Sequence, residues 1–167
     1  THVTAPPLPA TPTPGQAARM TRILTLPDLA ATEHLASTLA SLARRGDAIL
    51  LEGELGAGKS ALARAFLRAA TKDPTLEVPS PSFTLVQAYE TPLGMVHHFD
   101  LWRLDGPGPL AELGWDDACD DIVLVEWPDR LGRLRPANAL TINLTLAEGD
   151  SRIAAINGWP DRIGLIA

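Results

Sequence analysis

The fold is decided by one segment, Gly53-Glu54-Leu55-Gly56-Ala57-Gly58-Lys59-Ser60, which has the spacing G-x-x-x-x-G-K-S. This spacing is typical of a loop that turns its backbone N–H groups toward a phosphate. The apolar run Ala48–Leu51 before the loop has the length of a buried strand, and apolar residues recur at helical spacing from Ala61 to Ala69. A strand, a loop and a helix in this order predict that the positive end of the helix also faces the phosphate.

Each residue type in this loop has a separate chemical task. The glycines allow the backbone to turn tightly. Lys59 places a positive charge beside the β- and γ-phosphates of a nucleotide, and the Ser60 hydroxyl is the expected protein ligand of Mg²⁺. We therefore expect nucleotide contacts from Gly53 to Ala61, with Ser60 as a metal ligand.

The composition of the chain limits its class. The 167 residues carry a formal net charge of −6, are 46% hydrophobic and include one cysteine, Cys119. One cysteine excludes an internal disulfide, and no apolar run approaches the ~18 residues of a membrane span. We expect a reduced, cytoplasmic protein without membrane contact. Five prolines among Thr and Ala in residues 1–20 predict a disordered tail before a single domain at residues 21–167.

An acidic segment lies between Leu104 and Asp129, where the chain has eight carboxylates and no Lys or Arg. The net charge argues against a protein that binds nucleic acid unaided, since such proteins are usually basic. Two interpretations of the segment stay open, a solvated acidic face and a surface that meets a basic partner protein.

Predicted strands and helices alternate in the first half of the chain, and strands dominate the second half. This order is typical of an α/β fold like that of P-loop NTPases, with a mostly parallel sheet, some antiparallel strands and helices on both faces. The predicted strands are Arg22–Leu26, Ala48–Leu51, Phe83–Tyr89, Met95–Phe99, Ile122–Val125, Ala139–Leu146 and Arg152–Ile156. Helices are predicted after an N-cap at Asp28, from the loop to about Thr71, and from Leu110 to Cys119.

Two carboxylates follow apolar strands, Asp100 and Glu126. In open α/β sheets the ligand lies at the carboxyl ends of the strands, so both acids are expected near the phosphate loop. Four apolar residues precede Glu126, which favours it as the metal ligand, and Asp100 is the candidate that orients the attacking water. The alternative for either is an acid that caps a turn at the end of a strand.

The segment Ser80–Val86 is rich in hydroxyls and follows the phosphate loop in sequence. Thr84 or Ser82 is a candidate to contact Mg²⁺ or the γ-phosphate and so to order the segment only in the triphosphate state. The alternative is a proline-bounded loop whose hydroxyls cap the local backbone. The residues alone leave both interpretations open.

Two adjacent histidines, His97 and His98, point to opposite faces of a predicted strand, so one of them is expected inside the protein. Neither is expected to be catalytic, because phosphoryl transfer depends on position and charge more than on a histidine base. Trp102 is expected to be a core or interface aromatic.

Four motifs in order resemble the bacterial TsaE (YjeE) family. They are Gly53–Ser60, Ser80–Val86 (SPSFTLV), His98–Leu104 (HFDLWRL) and the pair Glu126-Trp127. The resemblance covers roughly residues 22–135. It implies a small P-loop ATPase that uses ATP and Mg²⁺ and works with the TsaB–TsaD complex. The resemblance also implies a role in the pathway that forms threonylcarbamoyladenosine next to the anticodon of tRNAs that read codons beginning with A.

The resemblance also implies roles for single residues. Ser60 and Glu126 would bind Mg²⁺, and Thr84 and Asp100 match the hydroxyl of the Ser-Pro loop and the Asp of the His-Phe-Asp motif. Trp127 would line the nucleotide site, and the family contacts adenine at the start of the first helix, around Leu29–Glu33. The expected catalytic residues are Lys59, Asp100 and Glu126. Contact with tRNA is expected only indirectly or within the complex.

Two other functions stay open, a small-molecule kinase and a nucleotide-gated binding module with negligible turnover. A kinase usually needs an Arg-rich lid, but the acidic segment after Leu104 has no arginine until Arg130. A GTPase is disfavoured, since the only lysines are Lys59 and Lys72 and neither follows an Asn.

Overall fold

A computed structural model describes residues 21–167, so the disordered tail predicted for residues 1–20 lies outside the described residues. Among these residues, the α-helices are α1 (Leu29–Leu42), α2 (Lys59–Thr71) and α3 (Trp115–Ala118). The strands are β1 (Arg22–Leu26), β2 (Ala48–Gly53), β3 (Val86–Thr91), β4 (Gly94–Asp100), β5 (Ile122–Glu126), β6 (Leu140–Leu146) and β7 (Arg152–Asn157).

The strands form one seven-stranded sheet in the order β1-β7-β6-β2-β5-β4-β3. The central strands β6, β2, β5 and β4 are parallel, and β3 and β7 run antiparallel to their neighbours. The predicted α/β fold with a parallel centre and antiparallel strands is therefore confirmed. The parallel centre brings the ends of β2, β4 and β5 to one edge of the sheet. Because β3 and β7 run the other way, their first residues lie at this same edge.

Both faces of the sheet are covered, as predicted, but by different kinds of structure. Helices α1 and α2 pack on one face, against Ile49 and Leu51 of β2. The other face carries Ala48 and Leu50, and it is covered by Trp115 of α3 and by neighbouring loop residues. Strand β2 is thus buried on both faces, which explains its continuous apolar run.

The first helix begins where the sequence predicts it. Asp28 is its N-cap, and Asp28 Oδ1 accepts a hydrogen bond of 2.9 Å from the backbone N–H of Ala31. A side chain in this place satisfies one of the free N–H groups of the first turn. The cap starts α1 close to the edge of the sheet that carries the phosphate loop.

Two predicted elements differ from the structure. Strand β3 begins at Val86 and not at Phe83, because Leu85 has a φ of +69° and its N–H closes a turn onto Pro81 O at 2.6 Å. The helix predicted from Leu110 to Cys119 is only the four-residue α3, preceded by a 3₁₀ turn at Gly108–Leu110. Gly114, with a φ of +79°, interrupts the helical path between them.

Within the described range 21–167, none of the helices has the length and apolar character needed to span a membrane.

Candidate functional site

The loop Gly53–Ser60 connects β2 directly to α2, as the motif predicts. Gly53 has a φ of +144°, and a Cβ built on it would lie 2.5 Å from the carbonyl oxygen of Leu144 on β6. Only glycine allows this close approach. The start of the loop is therefore packed directly against the backbone of β6. Lys59, at the other end of the loop, is the first residue of α2.

Lys59 is held inside the loop. Its side chain is nearly buried, and its ammonium group donates hydrogen bonds to the carbonyl oxygens of Gly53 and Glu54, the latter at 3.0 Å. The ring of Trp127 lies over the same group, with 3.7 Å from Lys59 Nζ to the ring centroid. Burial lowers the pKa of Lys59, and the nearby charges of Glu126 and Asp100 partly oppose that effect. The Lys59 ammonium group thus places one positive charge inside the phosphate loop.

Glu126 ends β5 and is only 2% exposed. Its Oε1 accepts a hydrogen bond of 2.8 Å from Ser60 Oγ, and its Oε2 lies 2.7 Å from His98 Nε2. The two residues predicted to bind metal are therefore in direct contact. A hydroxyl and a carboxylate oxygen are ligands of the type that Mg²⁺ takes, usually with substrate phosphates and water completing its shell. Residues 21–167 contain no cluster of three or more His, Cys, Asp or Glu side chains that could hold a metal. The Ser60 hydroxyl and the Glu126 carboxylate thus supply two adjacent oxygens of the type that Mg²⁺ binds.

Asp100 ends β4 directly opposite Glu126 of β5. Its Oδ2 accepts hydrogen bonds from Ser80 Oγ at 3.2 Å and from Ser82 Oγ at 3.4 Å, and its Oδ1 accepts one from the backbone N–H of Trp102 at 3.1 Å. The carboxylate is nearly buried. Asp100 therefore holds the segment Ser80–Val86 (the Ser-Pro segment) at the carboxyl ends of the strands, next to Ser60 and Glu126.

A cavity of about 280 Å³ lies between these parts and contains most of the predicted site residues. Its walls are Leu55, Gly56, Gly58, Lys59, Ser60, Ala61, Ser80, Ser82, Asp100, Trp102, Glu126 and Trp127. One lysine and two acids thus converge on a single space at the carboxyl edge of the sheet, which is suited to a phosphate group with a bound cation.

Some predicted residues lie elsewhere. Gly53, Glu54 and Ala57 line a separate cavity of about 470 Å³ against β6. The side chain of Thr84 is exposed and does not line the phosphate-loop cavity, whereas Ser82 does. In this conformation Ser82 is the nearer of the two hydroxyls to the cavity, and the contact of either one with a nucleotide stays a prediction.

A third cavity, of about 250 Å³, adjoins the phosphate loop on the side of α1. It is lined by Asp28, Leu29, Thr32, Gly58, Ala61, Asp150 and Arg152. Gly58 and Ala61 line both this cavity and the one that contains Lys59, so the two cavities are neighbours.

Sequence reasoning missed three residues of the site. Trp102, expected in the core or an interface, lines the cavity, and its ring centroid lies 4.4 Å from that of Trp127. His98 binds Glu126, as described above. Arg152 Nε donates a hydrogen bond of 3.1 Å to the carbonyl oxygen of Ala57 in the loop. The first two lie within recognised motifs, but Arg152 has no local signal, because only the antiparallel pairing of β7 brings it to this edge.

The sheet topology and the phosphate loop define an α/β protein of the P-loop NTPase type. The protein also resembles the crystal structure of Bacillus subtilis YdiB, with a TM-score of 0.70 and 24% sequence identity over 87% of this chain and 90% of that one. At that identity the likeness concerns the fold alone.

The particular family follows from the sequence comparisons. The family model for "Threonylcarbamoyl adenosine biosynthesis protein TsaE" matches residues 26–154, and the chain belongs to the TsaE family. Among its relatives, "tRNA threonylcarbamoyladenosine biosynthesis protein TsaE" of a Nostoc species is 33% identical over 143 residues, which is 83% of this chain and 86% of the relative. The protein of the same name from Rickettsia felis is 32% identical over 126 residues, 75% of this chain and 73% of the relative.

Proposed function

We propose that this protein binds ATP with Mg²⁺ and hydrolyses it in the biosynthesis of threonylcarbamoyladenosine in tRNA. The observation that carries the proposal is the convergence of Lys59, Ser60, Asp100 and Glu126 on one cavity beside a G-x-x-x-x-G-K-S loop. Family membership supports the pathway. Catalysis of phosphoryl transfer depends mainly on positioning and on charge, and these four side chains supply both.

In this proposal the nucleotide spans the cavity that contains Lys59 and the neighbouring cavity beside α1. The phosphates lie against the loop and Lys59, next to Trp127. The adenosine extends past Gly58 toward Leu29 at the start of α1, which is where the family is expected to contact adenine. Arg152 lines this same cavity and holds the loop through a hydrogen bond to the carbonyl group of Ala57.

Ser60 and Glu126 hold Mg²⁺ in this proposal, because their oxygens are adjacent and face the cavity. When bound, the ion neutralises charge that develops on the phosphate oxygens. Lys59 contributes a second positive charge, for which it exchanges the carbonyl oxygens of the loop for phosphate oxygens. Asp100 orients the attacking water and couples the cavity to the Ser-Pro segment through Ser80 and Ser82.

The biological partner is the TsaB–TsaD complex, and the tRNAs are those that read codons beginning with A. Contact with tRNA is indirect or is made within that complex, in keeping with the net charge of −6. The proposed location is the cytoplasm, which the single cysteine, Cys119, supports.

Release of phosphate from ATP, with and without the TsaB–TsaD complex, tests this function. We expect Mg²⁺-dependent release that Lys59→Ala abolishes, because the charge that faces the β- and γ-phosphates is lost. Lys72→Ala, which removes an exposed lysine at the far end of α2, is the matched control and should leave hydrolysis unchanged. Undiminished turnover in Lys59→Ala would contradict the proposal. Transfer of the phosphate to a small acceptor would identify a kinase, and nucleotide binding without turnover a binding module.

A further inference from the structure

The second oxygen of the Glu126 carboxylate is held by a side chain to which the proposed function assigns no role. His98 Nε2 lies 2.7 Å from Glu126 Oε2, and both side chains are 2% exposed. Ser60 occupies the other oxygen, Oε1, at 2.8 Å. The two contacts together determine where the carboxylate lies and how it is rotated about its own axis.

The position of His98 follows from the pleat of β4. Val96, His98 and Asp100 alternate with their neighbours and so share one face of the sheet. Val96 belongs to the core beneath α1 and α2, and Asp100 reaches the cavity at the edge. His98 therefore lies between the packed core and the site, where it can hold the side chain of Glu126, on the neighbouring strand, in a fixed position.

The hydrogen bonding of His98 indicates which of its two ring nitrogens carries the proton. Among residues 21–167, the buried Nδ1 atom of His98 has no hydrogen-bond partner. A neutral imidazole with its proton on Nε2 donates to Glu126 Oε2 and leaves only a lone pair at Nδ1. This tautomer leaves no buried N–H unpaired, so His98 is the donor and the carboxylate the acceptor.

We propose that His98 is a positioning residue for the metal site, which holds Glu126 Oε1 toward Ser60 by donating a hydrogen bond to Oε2. The inference rests on the proposed function in taking Ser60 and Glu126 as the residues that bind Mg²⁺. Groups that hydrogen-bond a metal ligand fix its orientation, and their loss typically lowers metal affinity about 10- to 100-fold.

Two amide substitutions of similar polarity separate positioning from a merely structural role. His98→Gln carries its amide nitrogen at roughly the reach of Nε2, whereas the shorter His98→Asn cannot reach Glu126. The measurement is the affinity for Mn²⁺ of the protein loaded with a non-hydrolysable ATP analogue, followed by the electron paramagnetic resonance of the ion. We expect His98→Asn to lower that affinity by about tenfold and His98→Gln to keep most of it.

The neighbouring histidine provides the control. His97 lies on the opposite face of β4, where its Nε2 is 2.9 Å from Asp121 Oδ2, and His97→Asn should leave the Mn²⁺ affinity unchanged. Affinity for the nucleotide in the presence of a chelator should be the same in all variants. In a Glu126→Ala background, His98→Gln and His98→Asn should have no further effect on Mn²⁺ binding, because the group they position is gone.

Three results would overturn the inference: wild-type Mn²⁺ affinity in His98→Asn, equal losses in the Asn and Gln variants, or a parallel loss of metal-free nucleotide binding. Thermal unfolding without metal identifies a variant that does not fold. If His98→Asn is such a variant, the decision rests on His98→Gln, whose Mn²⁺ affinity must then stay near that of the wild type. Wild-type protein that binds no Mn²⁺ with the nucleotide would instead reject the metal site of the proposed function, and the inference with it.

Discussion

Ser60 and Glu126 are 66 residues apart in the sequence and are joined by a hydrogen bond of 2.8 Å from Ser60 Oγ to Glu126 Oε1. The contact results from the parallel pairing of β2 with β5, in which Leu51 lies opposite Glu126. The residue after the phosphate-loop lysine and the acid at the end of the neighbouring strand thus face each other, as the proposed metal site requires.

The proposed binding of Mg²⁺ by Ser60 and Glu126 leads to the first prediction. Glu126→Ala should raise the Mg²⁺ concentration that half-saturates ATP hydrolysis by more than about tenfold, since even outer-shell partners of a metal contribute that much. Ser60→Thr keeps the hydroxyl and should behave like the wild type, whereas Ser60→Ala should resemble Glu126→Ala. Titration of hydrolysis with Mg²⁺ measures this directly. Superimposable titrations of wild type and Glu126→Ala would show that the metal assignment is wrong.

Asp100 should affect turnover more than nucleotide affinity. Asp100→Asn keeps the shape of the side chain but removes the charge that would orient water, and we expect kcat to fall about 100-fold, as for loss of a general acid or base. The dissociation constant of the ATP analogue, measured by calorimetry, should change little. Asp105→Asn, which changes an exposed acid in the loop after β4, is the control. A rise in the dissociation constant that matches the fall in kcat would assign Asp100 to binding instead.

The Ser-Pro segment should report the state of the nucleotide to a partner. We predict that the TsaB–TsaD complex binds the protein loaded with an ATP analogue more tightly than the ADP-loaded form. A complete switch from 1:99 to 99:1 requires a difference of about 5.5 kcal/mol. Ser82→Ala should shrink the difference, because Ser82 lines the cavity and binds Asp100.

Thr84→Ala tests the competing assignment of that role. The side chain of Thr84 is exposed here, so its substitution should have the smaller effect. A larger effect of Thr84→Ala than of Ser82→Ala would assign the role to Thr84. The experiment is a titration of each variant, in both nucleotide states, with the TsaB–TsaD complex. Equal affinities of the wild type in the two states would refute the switch.

Arg152 should contribute to nucleotide binding although it lies outside the motifs. Arg152→Ala removes the hydrogen bond to the carbonyl group of Ala57, and bonds from charged groups contribute about 1.5–3 kcal/mol. We therefore expect the dissociation constant for ATP to rise by about tenfold or more, measured by calorimetry. Arg133→Ala removes an equal charge from an exposed position and should have no such effect. Equal nucleotide affinity in the wild type and Arg152→Ala would show that the contact with the loop does not support binding.

Local sequence patterns predicted the helices and strands near the site well. The β2 run, the phosphate loop and α2 were predictable because glycine spacing, apolar periodicity and the Asp28 cap act over a few residues. The prediction that β3 starts at Phe83 was wrong, since the alternating pattern carries no information about the turn that places Leu85 at positive φ.

The sequence by itself determined the phosphate loop, the lysine and hydroxyl within it and the two acids at the strand ends, since each belongs to a short motif whose chemistry is local. Only the tertiary structure decided which other side chains meet there. Strand order and direction depend on packing between distant segments, and the antiparallel β7 alone brings Arg152 to the loop. In the same way, the pairing of β4 with β5 places the buried His98 against Glu126.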